Sequence, residues 1–440
     1  MSRSYLALLL FLLLSYSPVF AQAEGAISGT VLDAVTGKPI PAAIVTCGDI
    51  SVQTDDQGRY TIAADGFRVM ARAHGYRRSR NETAFPEQLR LDPFAPKALY
   101  LSFYGVGSSA LREPALDLIA SSELNAVVVD IKGDRGMLPY PSRIPLARSV
   151  KALEVTTVSN LAGLVRSLKD KGIYTIGRIV VFKDPLLAAG RPDLDIMTEG
   201  GKPWIDHQGL GWVDPFRREV WEYNIDIAIE AARAGFDEVQ FDYVRFPARK
   251  GLVFSRENTE ESRVAAIGGF LDAARKRLSP YNVFLSADIF GYVCWNLDDT
   301  SIGQRLEDLT RHVDYLSPML YPSGFAHGVG EYENPLDNPY EIIYRSLARA
   351  RQRSGVPAVR FRPWLQAFRD YAFDRRAFGE WEIEAQTEAS ENFGTNGWML
   401  WNPGNRYRPE GLKLTENQAG GSKGLSALED EGSGAVSGGG

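Results

Sequence analysis

The residues best suited to chemistry lie in Val239-Gln-Phe-Asp-Tyr-Val-Arg-Phe-Pro247, a buried-strand pattern that ends in the carboxylate of Asp242 and leaves through an aromatic, an arginine and a proline. Burying a charge is costly, and the carboxyl end of a barrel strand is where such a charge serves. A second carboxylate, Asp288, closes Ser286-Ala-Asp288 in the next strand pattern. At period two, Gln240 shares a face with Asp242, Ser286 with Asp288, and Trp364 with Gln366. Two carboxylates facing each other among aromatic rings suit cleavage of a glycosidic bond. One donates a proton to the leaving oxygen, and the other attacks or activates water. Asp242 reads as the nucleophile or base and Asp288 as the acid. The plain alternative for Asp242 is a helix cap or an ion pair with Arg245.

Other strand ends supply groups that would hold a sugar. They are Asp130 and Lys132, which read equally as a structural ion pair, then Arg178, Tyr321, Trp364, Gln366, Trp401 and Asn402. Arg178 suits the positioning of a carboxylate. Trp204 and Trp212 lie in the long Gly-rich connection from Lys183 to Asp214, which exceeds what a simple connector needs. Asp214, just before Pro215, reads as a helix cap.

Eight strand patterns must carry these groups: Lys97–Tyr104, Ala126–Ile131, Tyr174–Phe182, Glu238–Val244, Val283–Ile289, Val313–Leu320, Val359–Ala367 and Gly397–Trp401. Helical patterns alternate with them, among them Pro215–Ala234, Glu260–Leu278, Ile302–His312 and Tyr340–Arg353. The alternation predicts a (β/α)8 TIM barrel over residues 93–412, in the α/β class. An open doubly wound sheet is the rival, and Phe103-Tyr-Gly-Val-Gly-Ser-Ser109 is a weak match to its phosphate loop. Residues 24–92 read as short alternating strands with turns at Thr36-Gly37 and Gln57-Gly58, a small all-β sandwich. They offer the barrel no strand-end carboxylate, so the barrel is expected to fold without them. Residues 1–23 carry a positive start, a short apolar run and small residues near Ala21 and Ala23, an export signal. Periplasmic or extracellular localisation follows, with no membrane span after cleavage. Residues 413–440 are Gly/Ser-rich and read as a disordered tail.

The net charge is −6, with no basic block, which argues against nucleic acid as a partner. The two cysteines, Cys47 and Cys294, read as separate buried thiols. The four histidines show no metal-ligand spacing, so no metal site and no cofactor are expected.

Two resemblances add to this. Residues 24–92 resemble the carboxypeptidase regulatory-like module through Gly29-Thr-Val-Leu-Asp33, Thr36-Gly-Lys-Pro-Ile-Pro41, Thr54-Asp-Asp-Gln-Gly-Arg-Tyr60 and Ala73-His-Gly-Tyr76. That implies a fold and an accessory role. The barrel half carries Leu124-Asn-Ala-Val-Val-Val-Asp-Ile-Lys-Gly-Asp-Arg-Gly136, Gly172-Ile-Tyr-Thr-Ile-Gly-Arg178, Trp212-Val-Asp-Pro215, the Asp242 strand, Ser286-Ala-Asp-Ile-Phe-Gly291, Asp314-Tyr-Leu-Ser-Pro-Met-Leu-Tyr-Pro322 and Gly397-Trp-Met-Leu-Trp-Asn-Pro403. It resembles a bacterial glycoside hydrolase family first catalogued as a domain of unknown function. The resemblance implies a barrel related to amylase-like and galactosidase-like glycosidases, with the nucleophile at the end of strand four, where Asp242 stands. It also implies a retaining reaction. The relatives' strand-five acid is Glu, and here it is Asp288. The expectation is therefore an exported glycoside hydrolase acting on a polysaccharide or oligosaccharide. Its rivals are a non-catalytic carbohydrate-binding or envelope-assembly protein and a metal-dependent polysaccharide deacetylase.

Overall fold

The computed structural model describes residues 25–63, 68–79 and 87–415. The expected export segment and nearly all of the expected tail lie outside them.

Polar and apolar residues alternate in the first part of the chain. In Arg59–Ala63, Tyr60 and Ile62 are buried while Arg59, Thr61 and Ala63 are exposed, as one face of a sheet on a core requires. Strands β1 (Ala26–Asp33), β2 (Ile44–Cys47), β3 (Ile50–Gln53), β4 (Arg59–Ala63), β5 (Val69–Arg72) and β6 (Gln88–Leu91) form two three-stranded sheets, β4-β1-β6 and β3-β2-β5. They share a core that includes Val31, Val45, Tyr60, Ile62, Val69 and Leu89.

The next strands are buried on both faces along nearly their whole length, because they lie between a filled lumen and an outer layer of helices. They are β7 (Lys97–Leu101), β8 (Ala126–Lys132), β9 (Tyr174–Val180), β11 (Glu238–Asp242), β13 (Phe284–Phe290), β14 (Tyr315–Met319), β15 (Trp364–Gln366) and β16 (Trp398–Trp401), with the two-residue strands β10 (Met197–Thr198) and β12 (Leu252–Val253) in connections. The eight long strands are parallel and pair in chain order, and β16 pairs with β7 to close the barrel. Ala98, Tyr100, Val128, Tyr174, Ile176, Phe284, Tyr315, Trp364 and Met399 fill the lumen. Helices such as Arg218–Ala234, Glu260–Leu278 and Pro339–Ser354 cover the outside.

Local departures from the expected elements have turn chemistry behind them. The strand expected to reach Tyr104 stops at Leu101, because the Ser102 hydroxyl caps Gly105 N and opens the helix Phe103–Gly107. The helix expected over 302–312 shrinks to Leu306–Leu309. The Asp299 carboxylate accepts from Ser301 N and Gly303 N and pairs with Arg263, which holds a turn there instead. Asp214 does not cap the helix that follows, which starts at Arg218; it accepts from Phe216 N and Ser255 N in a loop.

The sandwich docks on the amino-terminal ends of the barrel strands. Arg78 donates to Asp237 Oδ1 at 3.2 Å and to the carbonyls of Gly235 and Tyr281. Arg72 donates to Asn282 Oδ1 and lies 3.7 Å from Asp314, and Gly75 N donates to the Tyr315 hydroxyl. The sandwich therefore gives the barrel cations at the amino-terminal ends of its strands. Burial pushes the Asp314 pKa up, and the guanidinium groups of Arg72 and Arg275 outweigh it, so the net shift is downward. Breaking one buried pair costs about 3–5 kcal/mol, here reduced by the partners that stay, Arg275 on Asp314 and Lys169 on Asp237. A chain beginning near Asp92 is expected to melt at least about 5 °C below the full chain. Equal melting temperatures in a thermal scan would make the two parts independent.

Candidate active site

Register brings the chemistry together. Phe241 pairs with Ala287, so Asp242 and Asp288 follow side by side at the tops of adjacent strands, on the lumen side of the wall. On the other flank Gln240 pairs with Arg178. The Arg178 side chain reaches up from β9 and donates to Asp242 Oδ2 through both Nε at 2.9 Å and Nη2 at 2.6 Å. The other carboxylate oxygen, Oδ1, accepts from Tyr243 N at 2.5 Å. Tyr243 has φ 49°, a left-handed conformation that costs a bulky residue about 1–3 kcal/mol and concentrates at functional sites.

Arg178 is shared by three carboxylates. Its Nη1 donates to Asp130 Oδ1 at 2.7 Å and its Nη2 to Asp134 Oδ1 at 3.1 Å. Burial opposes its charge, and Asp242 and Asp130 outweigh that, so its pKa is raised. Asp130 also accepts from the Tyr100 hydroxyl and from Phe103 N. Burial lifts the Asp130 pKa to about 6 against the pull of Arg178.

Asp288 has a different environment. Trp364 Nε1 donates to its Oδ1 at 2.8 Å, and its Oδ2 is buried without a partner. Burial first, and then the charge of Asp242, push its pKa well above the usual carboxylate range. A carboxyl that burial makes less ready to lose its proton thus stands beside one that is ion-paired to a guanidinium. This pairing can donate a proton and supply an anion at one place.

A cavity of about 200 Å³ opens over Asp242, lined also by Tyr321, Met319, Phe325, Phe290 and Tyr371. Asp288 is not part of its wall. A wider cleft of about 630 Å³ holds Trp204, Trp212, Lys183, Asp206 and Gln208, and Tyr243 and Arg245 line both spaces.

The remaining residues singled out from the sequence divide. Tyr321 borders the Asp242 cavity, and Trp204 and Trp212 border the wider cleft, although Trp212 is 3% exposed and its indole N–H is held by Asp206. Trp401 stacks on Tyr100 at 3.9 Å, and its ring faces Arg178. Asn402 lies in a separate pocket, where its side-chain amide N–H groups hold the carbonyls of Ala367 and Arg406. Two residues are corrected. Lys132 does not pair with Asp130 and borders neither the cavity over Asp242 nor the wider cleft. The register shifts between Asp130 and Lys132, so Lys132 pairs with Ile179 and turns outward, where it is fully buried against Asp184 at 2.7 Å. Gln366 is also fully buried, and its amide holds the turn at Ser323. The rival pair of Asp242 with Arg245 is absent among the described residues, because Arg178 takes that place. Tyr100 and Asp134 belong to the site as well. Tyr100 was within reach of period-two reasoning from Ala98, and Asp134 lies four residues beyond Asp130 in the same strand-end run.

Residues 98–407 match the model of a family described as "Putative glycosyl hydrolase domain". The chain belongs to this family. The structure is similar to the PgaB (BpsB) glycoside hydrolase domain from Bordetella bronchiseptica, over 71% of this chain and 95% of that one, at 14% identity and a TM-score of 0.54. This is a likeness of fold. A hypothetical protein from Ruminiclostridium thermocellum is 41% identical over 43% of this chain and 96% of its own, with a TM-score of 0.39. A class V chitinase from Pseudomonas fluorescens is 15% identical over 75% of this chain and 100% of its own, with a TM-score of 0.42. No curated protein matches the chain. Family membership makes this a carbohydrate-active, glycosyl-hydrolase-type barrel, and no described helix is long and apolar enough to cross a membrane.

Proposed function

We propose that the protein is an exported glycoside hydrolase that cleaves a polysaccharide, with Asp242 as nucleophile or base and Asp288 as acid. One observation carries this reading. Asp288 keeps an unpartnered buried oxygen and a raised pKa beside an Asp242 that is ion-paired to Arg178. Two carboxyl groups with opposed environments are the requirement of glycosidic cleavage. The apolar run before Ala21 supports export. The test is a screen of the purified protein against bacterial and plant polysaccharides, with products read by mass. Release of shortened chains that stops with Asp242→Asn supports the proposal; intact polymers throughout the panel count against it.

The non-catalytic reading draws on burial. Asp288 is 1% exposed and does not reach the cavity wall. Binding of a glycan without turnover, unchanged by loss of either aspartate, would select it. For the deacetylase alternative, no group of three or more His, Cys, Asp or Glu side chains is placed to hold a metal among the described residues. Hydrolysis is therefore expected to survive exhaustive chelation with EDTA. Loss of activity with EDTA and its return with a divalent ion would favour metal-assisted chemistry.

A further inference from the structure

Arg245 leaves the strand that carries Asp242, yet it has no carboxylate. Its one side-chain hydrogen bond is to the carbonyl of Phe246 at 3.2 Å, and among the described residues no acid lies within ion-pair distance of it. Its guanidinium lies 4.8 Å from the Trp212 ring centre and 5.2 Å from that of Tyr243. Those two rings meet edge to face at 5.5 Å, and Trp204 packs beside Trp212 at 5.9 Å. The arginine is thus fixed over an aromatic corner in the wall common to the Asp242 cavity and the wider cleft. Arg245 is half-buried, and the fully buried cation of that cleft is already matched. Lys183 donates to Gln208 and lies 3.6 Å from Asp206. The Asp206 carboxylate accepts from Gln208 N, Leu210 N and Trp212 Nε1. Arg249, on the rim, is likewise in no ion pair among the described residues. A guanidinium that is desolvated on one side and in ion-pair contact with no described acid, with Asp242 and Asp206 acting on it only from beyond that distance, is a fork for a planar anion, and rings beside it suit a sugar face.

We propose that the wider cleft is a subsite for a sugar residue bearing a carboxylate, gripped by Arg245 next to the residue cleaved at Asp242, so that the substrate is an acidic, uronate-type glycan. Cleavage there rests on the glycosidase reading; binding of the acidic sugar does not. The aromatic corner takes the ring, and Arg245 takes the carboxylate.

The test separates the two. In the Asp242→Asn background, binding is measured by calorimetry for oligosaccharides of polygalacturonate, alginate and glucuronate polymers. Each is set beside its carboxyl-reduced counterpart, with a sulfated galactan as a further arm. At least one uronate oligosaccharide is expected to bind about tenfold or more tighter than its reduced form, and more weakly as salt rises. Arg245→Gln should remove that preference, and Arg245→Lys should keep part of it. Melting temperatures check that the variants fold. Equal binding of reduced and acidic forms, preference for the sulfated polymer alone, binding of none of the acidic glycans, or an unchanged preference in Arg245→Gln would each overturn the proposal. Arg245-dependent binding without hydrolysis by the unmodified protein would instead remove the glycosidase reading and leave the subsite.

Discussion

Asp242→Asn is expected to leave a folded chain whose hydrolysis falls by about 10⁴-fold or more, the scale of losing an attacking carboxylate. The substitution nearly keeps the shape and removes the charge. The fold should tolerate it for a specific reason. Removing one partner of a buried ion pair is usually expensive because the other charge is stranded. Here Arg178 keeps Asp130 at 2.7 Å and Asp134 at 3.1 Å, so its guanidinium remains matched. The single asparagine oxygen can accept from Tyr243 N or from Arg178 but not both, so one of these contacts is lost and the other kept. The melting temperature should therefore fall by only a few degrees, about 5 °C at most. Hydrolysis and a thermal scan on the same preparation decide the matter. A well-folded variant with near-normal turnover would take Asp242 out of the reaction, and a variant that unfolds would make its ion pair primarily structural.

The sequence made the barrel readable because its signals were long and redundant. Apolar runs such as Ala126-Val-Val-Val129 and a nineteen-residue helix such as Glu260–Leu278 leave little room for another architecture. The lumen positions of Asp242 and Asp288 also followed from period two. The failures occurred where period two breaks or where distance along the chain hides a contact. Lys132 sits two residues after Asp130 and should share its face, but one irregularity between them turns it outward to Asp184. No residue type in Asp130-Ile-Lys132 announces that shift. Gln366 obeys the alternation and is still sealed off, because a turn at Ser323, 43 residues away in sequence, closes over it. That Arg178 holds a carboxylate was legible from its strand; that the carboxylate is Asp242, on a neighbouring strand 64 residues away, was not. Arg72 and Arg78 in turn-rich sequence gave no sign that they would meet Asp314 and Asp237. Long-range ion pairs are set by tertiary geometry, and local pattern carries little information about them.

The second large effect is expected at Asp288 and has two readouts that must agree. As the acid, Asp288 works only while protonated, so activity should fall as pH rises through its raised pKa, giving the alkaline limb of a bell. Asp288→Ala should lower turnover of a native glycan by about 10²–10⁴-fold and spare the cleavage of an activated aryl glycoside, whose leaving group needs little protonation. Equal damage to both would pass the role to Asp130, the other buried carboxyl with a raised pKa at Arg178. Stability gives the independent reading. The folded pKa of Asp288 lies above its unfolded value. Its favourable contribution is therefore complete below the unfolded pKa of about 3.9 and is lost as pH rises through the folded value. Asn keeps an uncharged group of the same size and can still accept from Trp364 Nε1, but it never ionises. Asp288→Asn should thus melt close to the unmodified protein near the unfolded value and increasingly above it as pH rises toward the raised folded value. A variant more stable than the parent at neutral pH and nearly inactive on glycans is what a carboxyl kept in an unfavourable place for catalysis produces. If the gap in melting temperature stays constant across that range, Asp288 does not change ionisation with folding, and its environment gives no reason to assign it the proton.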